Sequence, residues 1–162
     1  MVSHGVFVRG RRGFSVIELL VVMAIISLIT ATSTPLMMSY WRGATLKAGA
    51  EELAAGLNRA RQLAISQSRR VCVQVAGNQY RYWLNACGGT PWTGGGSDLT
   101  GFFRLANNVG VTTNGNPVFD YLGAANPGAT LTVTNPQGGA SLTVAVSVAG
   151  RVRVCPAGGC AP

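Results

Sequence analysis

An almost unbroken apolar run near the N-terminus constrains this 162-residue chain more than any other feature. The segment 14–29 is apolar except for Ser15, Glu18 and Ser27, and the run extends to about Met38. A stretch of this length and composition is typical of a membrane-spanning helix or of a signal peptide. A signal peptide also needs a small-residue cleavage site after the apolar stretch, and the sequence offers only a weak one. The run therefore predicts a helix that lies in an apolar environment.

Glu18 is the residue in this run that needs a functional explanation. A carboxylate inside a membrane-spanning segment costs about 2.5–3.5 kcal/mol on an insertion scale, so it normally has a partner and marks a function. Cleavage after Gly13 would place the positive amine of Phe14 close to this carboxylate in the sequence. The amine of a neighbouring subunit could pair with Glu18 in the same way.

The residues around Glu18 resemble the class III signal of type IV prepilins and type II secretion pseudopilins. The segment 11–20 reads RRGFSVIELL, and every position of the motif is present. The resemblance implies a leader, residues 1–13, that a prepilin peptidase removes after Gly13 before Phe14 is methylated. It also implies that Glu18 guides assembly with other major and minor pilins into a helical filament.

The same resemblance implies where the protein resides and how its stalk is shaped. Residues 14–38 would hold the subunit in the inner membrane as a single span with a periplasmic head, before it enters a pilus or pseudopilus at the cell surface. Pro35 lies inside the run, and a proline within a helix removes a hydrogen bond and kinks the axis. The family resemblance places a kink in a pilin stalk at about this point.

Beyond the apolar run, a narrow apolar stripe predicts that the helix continues through residues 39–68. Its members recur at spacings of four and three: Leu46, Ala50, Leu53, Leu57, Ala60 and Ala64. Such a stripe buries one face of an amphipathic helix. We expect this face to pack on a head formed by residues 69–162.

The head shows the two-residue period of β-strands. Gly77-Asn78 is a typical two-residue hairpin turn, and 87–96 is too rich in glycine for regular structure. The predicted strands are Val71–Val75, Gln79–Leu84, Gly101–Leu105, Val109–Thr113, Val118–Tyr121, Thr130–Thr134 and Ser141–Val154. The pattern predicts an α+β, type IV pilin-like fold, with a long N-terminal α-helix packed on a small antiparallel β-sheet.

Within pilin-like proteins, the head resembles the GspH/FimT group of minor pilins and pseudopilins. The segments 119–123 (FDYLG) and 149–155 (AGRVRVC) carry this resemblance.

Four cysteines in an exported head predict disulfides, because the periplasm and cell surface are oxidising. Cys155 and Cys160 bracket a short flexible loop, which leaves Cys72 with Cys87, a spacing that the GspH/FimT resemblance also supports. A two-residue turn would put Cys72 opposite Trp83, so either the turn is longer or the chain folds back before Cys87. A zinc site is the weaker alternative, since the sequence has no CxxC pair and no histidine beyond the leader.

The charge of the chain is basic: 13 Lys and Arg stand against five Asp and Glu, a net charge of +8. Arg151 and Arg153 continue the polar face of the last predicted strand, about 6.6 Å apart at 3.3 Å per residue. Guanidinium groups at this spacing suit successive phosphates of a nucleic-acid backbone. Three further arginines are candidate auxiliary contacts for DNA: Arg69, Arg70 and Arg81.

The resemblance gives these arginines a function. FimT-like minor pilins are implicated in DNA capture for natural transformation, and their C-terminal Gly-Arg-x-Arg motif contacts DNA. Gly150, Arg151 and Arg153 match it position for position. The alternative is an ordinary solvated face, or a contact with the next pilin.

No catalytic, metal or cofactor site is predicted, and we expect a protein that is not an enzyme. The one histidine, His4, lies in the leader, and Glu51 and Glu52 are adjacent, so on a helix they point about 100° apart. Three functions compete with DNA capture by a minor pilin: a structural minor pilin that primes assembly, a GspH-like pseudopilin of type II secretion, and a protein held by an uncleaved anchor.

The processing signal generates the first prediction. We expect the protein isolated from its native cells to begin at Phe14 with a methylated amine, because the signal matches at every position. Intact-mass and N-terminal peptide mass spectrometry measure both features. A chain that keeps residues 1–13 would leave only the uncleaved anchor.

Overall fold

The computed structural model describes residues 13–156 and 160, and it excludes the side chains of 34–36. Residues 1–12 of the predicted leader lie outside the described residues, whereas the backbone at Pro35, where a kink is predicted, is described and is helical. The chain divides into two compact units, one up to Ser39 and one from Tyr40 onward. Helix α1 (Val16–Gln67) contributes to both units.

In the first unit, α1 is a helix with no buried face. Its first turn is closed by the backbone N–H groups of Glu18 and Leu19, which donate to the Ser15 carbonyl at 3.1 and 3.2 Å. Every described apolar side chain here is exposed, and the helix is long and apolar enough to cross a membrane. Its hydroxyl groups donate to carbonyls of the helix itself, as Ser27 does to Ala24 and Ser33 to Ile29. These hydroxyls therefore need no partner in the surroundings.

In the second unit, α1 buries the predicted stripe. The buried positions are Leu46, Ala50, Leu53, Leu57, Ala60 and Ala64, none of them more than 4% exposed. The helix ends where Ser68 adopts a φ of 51°. The N–H groups of Ser68 and Arg69 donate to the carbonyls of Ile65 and Ala64, so the last turn keeps its hydrogen bonds.

Nine strands form two antiparallel sheets beside this part of α1. The strands are β1 (Val71–Ala76), β2 (Gln79–Leu84), β3 (Thr90–Pro91), β4 (Phe102–Arg104), β5 (Gly110–Thr113), β6 (Val118–Phe119), β7 (Ala129–Thr134), β8 (Ser141–Val146) and β9 (Val152–Cys155). Sheet A has the order β3-β2-β1-β6, with β4 also paired to β2, and sheet B has the order β5-β7-β8-β9. The predicted α+β class, a long N-terminal helix packed on antiparallel strands, is confirmed.

Sheet A contains the predicted hairpin. Strands β1 and β2 pair in a register that places Ala76 opposite Gln79 and Cys72 opposite Trp83, so the turn is indeed Gly77-Asn78. The glycine-rich segment 87–96, expected to lack regular structure, contributes the two-residue strand β3, which pairs with the end of β2.

The expectation of a single sheet is wrong, because β5 pairs with β7 rather than joining β4. A short 3-10 turn, Ala106–Asn108, separates β4 from β5, and Asn107 and Asn108 have φ of 60° and 53°. Two successive left-handed residues redirect the chain, so the next strand starts a second sheet.

The predicted single strand Ser141–Val154 is also wrong. It is a hairpin of β8 and β9, in which Val144 pairs with Val154 and Val146 with Val152. Even-numbered residues pair with even-numbered residues in this register, so the apolar parity continues unchanged through the turn. Side chains that pair directly share one face of the sheet, and a two-residue period therefore does not reveal the turn.

Two disulfides close the loops that follow β2 and β9. Cys72 is bonded to Cys87 with 5.2 Å between their Cα atoms, and Cys155 to Cys160 with 5.1 Å. The chain folds back at Asn85, which has a φ of 72°. The two-residue turn and the Cys72–Cys87 bond are therefore compatible.

The core lies between α1 and both sheets. Tyr82 is fully buried, and burial raises the pKa of its hydroxyl, which stays protonated and donates to the Gly56 carbonyl at 2.8 Å. Gly56 also makes room for Tyr80, because a Cβ there would lie 2.7 Å from the Tyr80 hydroxyl. Glycine in the helix thus lets the aromatic side chains of sheet A approach the α1 backbone.

Two leucines of equal size test this core. Leu53 is fully buried under the sheets, and Leu99 is 100% exposed. We expect Leu53→Ala to lower the free energy of unfolding by about 2–5 kcal/mol, since it loses buried area and leaves a cavity. Leu99→Ala should change it by less than about 0.5 kcal/mol. Urea unfolding of the full chain in a non-ionic detergent, followed by tryptophan fluorescence, measures both, and equal values would contradict the assigned core.

Candidate nucleic-acid interface

Sheet B turns one face to the core and the other outward. Leu131, Val133 and Val144 are fully buried on the inner face. The alternating positions form what we call the outer face, which consists mainly of small and hydroxyl side chains: Thr112, Thr130, Thr132, Thr143 and Ala145. The outer face is therefore polar and made of short side chains, and it ends at the edge strand β9.

A row of residues crosses the outer face at the level of Arg153. Arg153 pairs with Ala145 on β8, and Ala145 pairs with Thr130 on β7. The side-chain oxygen of Asn114 accepts a hydrogen bond from the Thr130 backbone N–H at 2.8 Å. Together with Arg151 these residues line an open groove of about 510 Å³. The structure thus places both predicted arginines, each exposed, in one groove.

The turn between β8 and β9 fixes where Arg151 lies. The Ser147 N–H donates to the Arg151 carbonyl at 3.0 Å, and the Arg151 N–H donates to the Ser147 hydroxyl at 3.2 Å. The Gly150 N–H donates to the Ser147 carbonyl at 2.8 Å. Three hydrogen bonds in five residues hold this turn in one conformation.

Gly150 has no substitute in this turn. Its φ is 75°, a value that residues with a side chain rarely adopt, and it is buried. A Cβ on Gly150 would overlap the carbonyl oxygen of Gly123. Gly123 belongs to a second turn and has itself a φ of 83°. That turn is held by Asp120, whose carboxylate accepts from the N–H groups of Leu122 and Ala124 at 2.9 Å. The two turns pack directly on each other.

The predicted auxiliary arginines do not join this groove. Arg81 belongs to sheet A, where its guanidinium lies 4.0 Å from the ring of Trp83 and 4.5 Å from that of Phe102. Its Nε donates to Gln74 at 2.9 Å. Arg69 and Arg70 follow the end of α1 and are exposed, and neither is among the described residues that line the groove.

The carboxylates of the second unit have structural partners elsewhere. Glu51 pairs with Lys47 at 3.8 Å, and Glu52 accepts from the Ala106 N–H at 2.9 Å. Asp98 accepts from Thr100 and Phe102, and its hydrogen bond with Thr100 is the main cause of its lowered pKa. Asp120 caps the turn described above. No acidic side chain is therefore among the described residues that line the groove beside the two guanidiniums.

Sequence reasoning did not find Asn114, Thr130 or Ser147 in this region. Asparagine, threonine and serine are common in turns and strands, so their presence alone gives no signal. The register of β7, β8 and β9 places them beside the arginines, and that register follows from a turn that the apolar pattern conceals.

The residues of the predicted processing signal lie at the start of the first unit. Gly13 and Phe14 precede α1 and are exposed, and a Gly13 Cβ would meet no atom of the described residues within 4 Å, its chain neighbours aside. Glu18 lies in the first turn of α1, where the helix dipole favours an acidic side chain.

Gly150 and Gly115 form a matched pair for testing the turn. Gly150→Ala should lower the free energy of unfolding by about 1–3 kcal/mol, because alanine is strained at this φ and its Cβ meets the Gly123 carbonyl. At Gly115 a Cβ would meet nothing within 4 Å, and Gly115→Ala should change the value by less than about 1 kcal/mol. Urea unfolding of the full chain measures the difference, and a neutral Gly150→Ala would refute the role of this glycine.

Comparison with solved structures identifies proteins of similar fold. The type IV minor pilin FimU of Pseudomonas aeruginosa is 21% identical, and the match covers 68% of this chain and 93% of FimU with a TM-score of 0.52. The minor pseudopilin EpsH from the type 2 secretion system of Vibrio cholerae is 12% identical over 70% of this chain and 98% of EpsH, with a TM-score of 0.55. Escherichia coli GspH is 14% identical over 74% of this chain and 93% of GspH, with a TM-score of 0.56. None of the curated protein sequences matches.

Two family models match the sequence itself. Residues 8–34 match the prokaryotic N-terminal methylation motif, which contains the predicted processing signal. Residues 49–150 match the model of the type II transport protein GspH, which extends from the buried stripe of α1 to the glycine of the β8–β9 turn. Since this second match spans more than half of the sequence, the chain belongs to the GspH family of pilin-like proteins.

Proposed function

We propose that this member of the GspH family is a minor type IV pilin whose head captures DNA through Arg151 and Arg153, for uptake in natural transformation. The observation that carries the proposal is the groove on the outer face of sheet B, where two exposed guanidiniums lie together with no described carboxylate beside them. A guanidinium presents a planar set of donors that suits phosphate oxygens. The paired guanidiniums therefore support a phosphate backbone such as that of DNA as the ligand.

The neutral side chains of the groove support the same ligand. Hydroxyl and amide groups commonly contact phosphate and sugar oxygens, and Thr130 and Asn114 supply them in the row that ends at Arg153. These contacts position a backbone without reading bases, so we expect binding without sequence preference. The ten positive and four negative side chains after Pro35 would steer DNA toward the head.

The N-terminal segment supplies the assembly half of the proposal. A prepilin peptidase would cut after Gly13, the new amine of Phe14 would be methylated, and Glu18 would pair with that amine on an adjacent subunit. The apolar part of α1 would pass from the inner membrane into a filament core, with the head in the periplasm and then on the pilus surface. The head acts in this scheme by binding, and no catalytic step is assigned to it.

A type II secretion pseudopilin is the second candidate, favoured by the family match to GspH and the structural likeness to EpsH. Deletion of the gene separates the candidates. Loss of transformation with normal protein export supports DNA capture, whereas blocked export with normal transformation supports the pseudopilin. A structural minor pilin would instead show loss of pili when Glu18 is replaced, with no DNA binding by the head.

The decisive measurement is DNA affinity as a function of salt. The full chain in a non-ionic detergent is titrated into fluorescent double-stranded DNA of mixed sequence, and anisotropy is recorded at several salt concentrations. We expect Arg151→Ala/Arg153→Ala to weaken binding by about tenfold or more. We also expect it to lower the slope of log affinity against log salt by about 1.8, or about 0.9 per phosphate contact.

Arg69→Ala/Arg70→Ala is the matched control, since it removes the same charge outside the groove. It should retain most of the affinity, and circular dichroism should show that both double variants keep the fold. Absence of binding by the unaltered chain at low salt, or equal losses in the two double variants, would refute the proposed site.

A further inference from the structure

Arg61, a partly buried residue of α1, contacts the turn that contains Gly123 and the turn that contains Gly150. A Cβ on Gly123 would lie 2.8 Å from the Nε of Arg61, and a Cβ on Gly150 would lie 3.3 Å from the same atom. The Arg61 side chain therefore occupies space that exists only because both turn residues are glycines. Gly150 directly precedes Arg151, so Arg61 lies at the base of the segment that carries the groove arginine.

One buried polar atom of Arg61 has no partner among the described residues. Its Nε is buried and has no hydrogen-bond partner among the described residues, although the side chain as a whole is only partly buried. The ion pair found in the described part of the chain joins Lys47 and Glu51, so Arg61 has no ion pair with a carboxylate among those residues. A guanidinium held in place without an anion is a candidate contact for an external one.

We propose that Arg61 is a third cationic contact of the DNA-binding surface, in addition to Arg151 and Arg153. This inference rests on the proposed function and extends it from the outer face of sheet B around the β8–β9 turn to α1. Gly123 and Gly150 form the seat that holds the Arg61 side chain against the turn. A phosphate that reaches the turn from the groove then meets a guanidinium that is already positioned.

The same contact makes Arg61 a positioning residue for the turn. Its stem packs where Gly123 and Ile65 meet, since a Gly123 Cβ would also lie 2.9 Å from the Cδ1 of Ile65. A purely structural role would affect stability alone. A phosphate contact would in addition release counterions, and the salt dependence of binding reports that release.

The test uses the full chain in a non-ionic detergent and mixed-sequence double-stranded DNA. Arg61→Gln removes the charge, Arg61→Met removes it while keeping a long stem in the seat, and Arg61→Lys keeps the charge. We expect the Gln and Met variants to bind several-fold more weakly and to lower the salt slope by about 0.9. Arg61→Lys should keep the slope of the unaltered chain. Arg104→Gln, which removes one charge from sheet A, is the matched control and should leave the slope unchanged.

The outcomes separate this inference from the proposed function. If the unaltered chain binds DNA and loses binding in Arg151→Ala/Arg153→Ala, but folded Arg61→Gln or Arg61→Met keeps the full slope, the third contact is refuted and DNA capture stands. If the unaltered chain does not bind at low salt, both are refuted. Should the Gln variant unfold, as seen by circular dichroism, the Met variant decides.

Discussion

The contact between one face of α1 and both sheets is the interaction on which the head depends. Three leucines and three alanines line that face, and two buried glycines lie beside it at different levels. At Gly49 a Cβ would lie 2.6 Å from a methyl group of Val109, and at Gly56 it would meet the ring of Tyr80. The small side chains therefore set how closely the sheets approach. The Tyr82 hydroxyl, bonded to the Gly56 carbonyl, fixes the position of sheet A along the helix.

That packing also brings distant parts of the sequence to the candidate interface. The turn capped by Asp120 presents Gly123, which lies against Gly150, and Arg61 reaches both from α1. The Asp120 carboxylate accepts from backbone N–H groups and stabilises a turn, and no ion pair of Arg61 is found among the described residues. The basic character of this surface therefore results from how the few acidic residues are used as well as from how many there are.

Local patterns predicted the elements, and their limits explain the errors. The spacing of four and three revealed the buried face of α1, and Gly77-Asn78 revealed the β1–β2 hairpin, because both signals are local and periodic. The β8–β9 turn stayed hidden because pairing preserves the parity of the apolar residues. Arg61 was not predicted as part of the site, since its relation to Gly150 arises only from the way helix and turns pack.

The exposure of every described apolar side chain in the first unit has a consequence for how such a subunit can move. An apolar helix of this kind must be covered either by lipid or by other apolar helices, and exchanging one cover for the other changes little apolar area exposed to water. The hydrophobic contribution to the free energy therefore changes little in the exchange. A single charged contact can tip such a balance, and Glu18 is the one carboxylate within residues 14–38. Entry into a filament and return to the bilayer would then be close in free energy, so that growth and disassembly of the polymer are both accessible.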